Sequence, residues 1–208
     1  ILNGKTYHLC EGAWYEINSD FIAKLKTELD PVFIDAHEVL CECNKKLEGD
    51  YNKDATNLAS EGLEACCLDT KSISPRRERD VEPCDIIALK GDCVELMHNK
   101  ISTRSSLLSH LFNQGVNSAV LLLRSTEAKE KLKGLVESES LKERIDDDKY
   151  HVTYGIISNK RHDMKSDSLP IFSRISLLRC VRNLKLMRIP VSVYLIKDNV
   201  DRKHLNDD

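Results

Sequence analysis

The stretch CDIIALKGDCVELMHNK, residues 84–100, constrains the fold more than any other. Two nearly uninterrupted apolar runs flank Lys90-Gly91-Asp92, a turn signal, and so read as an antiparallel hairpin. A strand with one wet face alternates polar and apolar residues. These two do not, which is the pattern of strands covered on both faces. Immediately behind them, residues 104–125 repeat apolar side chains at helical spacing: Leu108, Leu111, Phe112, Ala119, Leu122 and Leu123. Between Arg104 and Arg124 there is no Lys, Arg, Asp or Glu. An ordinary surface helix exposes charge on its outer face. This one is therefore covered on both sides, or it lines a cleft with Ser106, His110, Asn113, Gln114 and Asn117. A sheet buried on both faces and flanked by helices follows.

The flanking sequence fills in that architecture. KTYHLCEGAWYEINSD reads as a hairpin around Glu11-Gly12, with Trp14 and Tyr15 as packing residues. Asn18, Ser19 or Asp20 can cap the next helix, FIAKLKTELD, which Pro31 stops. A loop-rich segment leads to a short helix over Tyr51–Gly62, and LEACCLDTK is a strand candidate. After the uncharged helix comes a densely charged one from about Thr126 to Ile145, and then the buried strand YHVTYGIIS. A last helix carries the stripe Leu177, Leu178, Val181, Leu184 and Met187 and ends at Pro190, before the strand VSVYLI. The fold class is α/β or α+β, a mixed central sheet flanked by helices.

With 208 residues the chain can bury one substantial core. It reads as a single domain, 1–208, with 1–48 as an N-terminal hairpin-helix elaboration. No apolar run is long enough to span a bilayer and no signal peptide is visible, so no membrane partner is expected. The chain begins at Ile1, which suggests the C-terminal part of a longer protein whose N-terminal region would be a further partner. None of the eight cysteines forms a C-x-x-C pair. Reduced, apolar cysteines in a cytoplasmic protein are expected and a structural zinc is not, although CEC (41–43) and CC (66–67) could supply metal ligands. Net charge is −3, yet Ser168–Lys197 holds no Asp or Glu and carries Arg174, Arg179 and Arg182. KSISPRRER is a second basic cluster. Such separation makes a local anion-binding surface, or simply a solvated face.

Chemistry concentrates in the hairpin. Asp85 starts its first strand and Lys100 ends the second, so antiparallel pairing brings both to one end of the sheet. His98 and Lys100 share a face by alternation. A carboxylate, a second ligand and a lysine at one sheet end suit metal-dependent phosphodiester cleavage. The acid holds Mg²⁺ or Mn²⁺ and the lysine stabilises the anionic transition state. LEGDYN offers Glu48 and Asp50 as further metal ligands, though Asp50 is also a good helix N-cap. His98 equally suits a hydrogen-bonded sheet histidine, and Lys100 a solvated strand terminus.

Motifs along nearly the whole chain carry a resemblance: AWY (13–15), GDYN (49–52), EPCD (82–85), HNK (98–100), LSHLFNQG (108–115), YGIIS (154–158) and LPIFS (169–173). The chain resembles an uncharacterised, sporadically distributed bacterial family associated with mobile elements and phage defence, whose members are longer and match it in their C-terminal part. More distantly it resembles the PD-(D/E)xK superfamily with the restriction-endonuclease-like fold. That resemblance implies a metal-dependent nuclease acting on DNA, with Asp85, Lys100, His98 and Gln114 catalytic and Asp85, Asp50, Glu48 and His98 at the metal. Arg104, Ser106, His110, Arg174, Arg179 and Arg182 would contact nucleic acid, and a homodimer is a candidate assembly. One departure stands out: the superfamily has Asp or Glu where this chain has His98, and alternation turns Glu95 to the opposite face. The competing readings are an inactive nucleic-acid-binding or protein-interaction module of the same fold, and a regulatory domain.

Overall fold

The N-terminal segment forms a hairpin, β1 (Thr6–Cys10) with β2 (Ala13–Ile17), which is a two-stranded sheet of its own. The structure is a computed structural model that describes residues 6–10, 13–59, 63–75 and 80–202. The side chains of Trp14 and Tyr15, and all of Arg76, Arg77 and Arg79, lie outside the described residues. Asn18 caps α1 (Ser19–Leu29), its side chain accepting from the Asp20 N–H. Pro31 sits in the single 3₁₀ turn that ends this helix.

The chain then runs through β3 (Phe33–Ile34), α2 (Glu48–Leu58), β4 (Ala65–Cys67), β5 (Ile86–Lys90) and β6 (Cys93–Ile101). It continues with α3 (Ser105–Arg124), α4 (Thr126–Leu135) and α5 (Glu139–Ile145). The last elements are β7 (Tyr150–Ser158), α6 (Ile171–Leu186) and β8 (Val191–Lys197). Six strands form one mixed sheet in the order β3-β8-β7-β6-β5-β4. The pairs from β3 to β6 are parallel, and β5 and β4 continue antiparallel.

Each face has its own apolar layer. Leu96, Val152, Tyr154 and Ile156 join Leu108, Phe112 and Leu122 of α3 and Leu177 and Val181 of α6. Met97, Ile157 and Ile196 meet Tyr51 and Ala55 of α2 on the other side. The central strands are thus covered on both faces, which is why they lack alternation. The absence of charge on α3 has the same cause: one side lies on β6 and β7, another on α6. Its small polar groups meet α6 directly, with Ser109 Oγ 2.8 Å from Ser176 Oγ.

Two sequence expectations change. The charged segment 126–145 is two helices, because Ser138 caps α5 by accepting from the Leu141 N–H, and Val136 is extended. The N-terminal segment also reaches the main sheet: β3 pairs with β8, although two residues are too short to show a pattern.

Gly91 and Gly115 are both required by geometry. Gly91 turns the β5–β6 hairpin at φ +61. Gly115 lets α3 lie on β7, where the Tyr154 hydroxyl donates to the Phe112 carbonyl at 2.7 Å. A Cβ at Gly115 would come within 2.6 Å of Tyr154 Oη and 2.7 Å of its ring. The ring is buried and cannot yield, so Gly115→Ala is expected to cost about 1–3 kcal/mol, read as a lower urea midpoint at unchanged m-value.

Candidate active site

The site arises from a mismatch in strand length. Ile86 of β5 pairs with Met97 of β6, and the Asp85 N–H still reaches the Met97 carbonyl at 2.9 Å. Beyond that point β6 continues to Ile101 with its β5-side edge unpaired by strand. Backbone groups on that edge need partners, and two carboxylates supply them. Asp85 Oδ2 accepts from the Asn99 N–H at 2.6 Å. Glu48 Oε2, from the first turn of α2, accepts from the Ile101 N–H at 2.8 Å. These N–H groups are two residues apart, about 7 Å along the strand. The other Glu48 oxygen takes Lys100 Nζ at 2.6 Å.

Two further acids face this pair. Asp69 follows β4, and a Cβ on Gly49 would come within 2.6 Å of Asp69 Oδ2, so that carboxylate lies against the start of α2. Glu82 lies three residues before Asp85. Asp85 is pushed up to about 7, by burial first and then by the charges of Glu48, Asp69 and Glu82, against the Asn99 N–H. Glu82 is also raised, by burial first and by Asp69 and Glu48, while Lys100 and His110 oppose the shift. His110 on α3 therefore lies within the field of the cluster.

The remaining sequence-predicted residues fall in different places. His98 is 3% exposed, packed in the core with Nε2 3.3 Å from Ser118 Oγ and its ring tilted on Tyr154. Burial takes it down to about 3. It is a neutral core histidine, and its expected place at a metal or a reacting group is corrected: it faces α3 rather than the carboxylates. Asp50 is exposed and lines a neighbouring groove with Leu47, so Glu48 is the acid of that segment that meets Lys100. Gln114 is half-buried one turn from exposed His110, and Ser106 and Arg104 are exposed at the start of α3. Glu95 is on the far face, as alternation requires, accepting from Lys90 (2.8 Å) and Thr153 (2.5 Å) with His37 Nε2 at 3.2 Å. Burial opposes its ionisation, but these bonds outweigh burial and take it down to about 2.

The basic stretch is partly matched by acids. Arg174 pairs with Asp167 at 2.6 Å, and Arg182 grips both oxygens of Glu28 at 2.7 and 2.8 Å. Arg179 donates to Asn113 Oδ1 at 3.3 Å. The acids come from α1 and from the segment before α6, so a scan along 168–197 alone does not see them.

Sequence reasoning missed Asp69 and Glu82. The signal for Asp69 was pairing: with Cys67 opposite Ile86, the end of β4 lies beside Asp85. Glu82 stands inside the EPCD motif itself.

Fold and site together define an α/β protein with a cluster of carboxylates and a lysine at the C-terminal end of its central strand. The chain belongs to the family of unknown function DUF6119, which it matches over residues 1–197. No curated protein and no solved structure matches the chain. Among the described residues, no helix is long and apolar enough to cross a membrane.

Proposed function

We propose that the chain is a metal-dependent nuclease of the restriction-endonuclease-like kind, hydrolysing phosphodiester bonds of DNA in a defence or mobile-element setting. The observation that supports this most is the carboxylate pair on the free edge of β6, with Lys100 2.6 Å from one of them. The mixed sheet with helices on both faces is the architecture such an enzyme needs.

The chemistry of the donors, though not yet their grouping, suits a hard cation. They are all carboxylate oxygens, and four acids face one lysine, which leaves Asp85 buried among like charges. Among the described residues no three His, Cys, Asp or Glu side chains are grouped so that they could hold a metal ion as they stand, and Glu48 is turned onto Lys100. Asp85 and Glu48 would hold Mg²⁺ or Mn²⁺, assisted by Asp69 and Glu82. A bound ion of this kind supplies Lewis-acid polarisation of a phosphate and a bound water of lowered pKa. Lys100 offsets negative charge on the phosphate oxygens. His110, on α3, lies in the field of the acids, and Gln114 follows it one turn later.

The Glu48–Lys100 pairing also suits an inactive binding module of the same fold, and one experiment separates the two. Plasmid, linear and single-stranded DNA are incubated with Mg²⁺ or Mn²⁺, alongside Lys100→Ala. The nuclease reading expects cleavage by the native protein and a loss of about 10²-fold in the variant. Binding without cleavage under every condition would leave the module. Cleavage undiminished by the substitution would refute the assigned site.

A further inference from the structure

Beside the carboxylates, at the start of both α2 and α3, lies a groove of about 770 Å³. Its walls include Lys46, Leu47, Asp50, Ile101, Arg104 and Leu107. It shares strand β6 with the site: Ile101, whose N–H holds Glu48, belongs to both.

Its side chains are of two kinds. Lys46 and Arg104 are exposed, and among the described residues neither has an acidic partner within ion-pair distance. Arg174 and Arg182 of α6, by contrast, are matched with acids. Arg202, also at the groove, is committed: it pairs with Asp198 and donates to the carbonyls of Lys45 and Lys46, fixing the loop that carries Lys46. Between the cations stand aliphatic groups open to water, Leu47 at 66% and Leu107 at 38% exposure, with Ile101. Asp50 is the one acid among the lining residues. The first turn of α3, which no side chain caps, adds its positive end to the same side.

We propose that this groove binds a short single-stranded segment of nucleic acid flanking the scissile phosphate, with the backbone on Lys46 and Arg104 and unstacked bases on Leu47 and Leu107. The proposal rests on the nuclease reading and adds the substrate's form. A duplex would bring phosphates to the cations but keep its bases stacked away from the leucines. An apolar ligand would have no use for the unmatched cations. The volume falls in the range of small-ligand sites, about 300–1,000 Å³, and suits a dinucleotide-sized stretch rather than a duplex. Sequence-tolerant single-strand sites combine backbone cations with a platform for the bases, commonly aromatic; here the aliphatic Leu47 and Leu107 take that place.

Fluorescence anisotropy tests this without any cleavage. Labelled oligothymidine and a duplex of equal length are titrated in EDTA at several salt concentrations. The single strand should bind about tenfold tighter than the duplex. In Lys46→Ala/Arg104→Ala the log–log salt slope for the single strand should be shallower by about 1.4, since each phosphate contact on a single strand is worth about 0.7. Leu47→Ser should weaken the single strand and leave the duplex unchanged. Equal or tighter duplex binding, or a salt slope indifferent to both cations, would overturn the groove. If the single strand binds as expected and no divalent ion supports cleavage, the groove stands and the nuclease reading fails.

Discussion

Under the proposed nuclease activity, replacing Asp85 by Asn is expected to lower cleavage by about 10³-fold, and at the same time to make the protein harder to unfold at pH 8. The two effects share one cause. The folded protein holds Asp85 at about 7 against an ordinary 3.8, chiefly through burial and then through Glu48, Asp69 and Glu82. The folded state therefore binds the proton more tightly than the unfolded chain. Stability contributed by that proton is complete below about pH 4 and is lost as pH rises to about 7. Above pH 7 the ionised carboxylate is a standing cost of about 2–4 kcal/mol. The amide of the variant would carry no charge, yet its carbonyl could still accept from the Asn99 N–H. Urea unfolding in chelator, at pH 5 and pH 8, measures this directly. The native protein should lose stability between the two, and the variant should not. Mg²⁺ or Mn²⁺ should then restore stability to the native protein at pH 8 by binding only the folded state, with little effect on the variant. A variant less stable than the native protein at pH 8 would refute the electrostatic account of the site.

Gly155→Ala is expected to be the most damaging small substitution, costing about 3 kcal/mol or more. Gly155 sits in β7 between Asn99 of β6 and Tyr194 of β8. A Cβ there would come within 2.0 Å of Asn99 Oδ1 and 2.9 Å of Ile196 Cδ1. The tip of Ile196 can rotate away. Asn99 cannot, because it is buried and its Nδ2 donates to Asn52 Oδ1 at 2.9 Å. The Asn99 N–H also holds Asp85, so the clash reaches the site and cleavage should fall along with stability. Asn99→Ala in the same chain should recover part of the loss, since Asn99 Oδ1 has no hydrogen-bond partner among the described residues to lose. A double-mutant cycle with no coupling between 99 and 155 would show that the clash is not the cause.

The strands and helices were legible because burial leaves a mark in one dimension. β5, β6 and β7 are apolar on both faces, and α3 lacks charge, for the same reason: something lies on each side. The joining of Asp85 to Lys100's end of the sheet was legible through hairpin pairing alone. What the sequence hid was which face of the sheet is full. His98 and Lys100 share a face, but α3 covers that face at Ser118 and leaves it open at Lys100, three residues past the last residue of β6 that pairs with β5. Alternation gives sides, not depth. The charge balance of α6 was hidden similarly, since Glu28 and Asp167 come from outside that helix. The break at Ser138 was readable as a cap, but the charge of the surrounding residues masked it.

The unpaired end of β6 carries a consequence for the company this protein keeps. An open strand edge is a template for any passing β-segment, and natural sheet proteins guard against edge-to-edge aggregation. Pro83 has no N–H and cannot extend β5 along this edge. Asp85 and Glu48 occupy the N–H groups that a foreign strand would need, and Lys100 adds a charge beside them. The carboxylates proposed to hold a metal are therefore also the plug that keeps the central sheet from growing into a neighbour. A variant lacking both would lose its guard against self-association as well as the chemistry proposed for it.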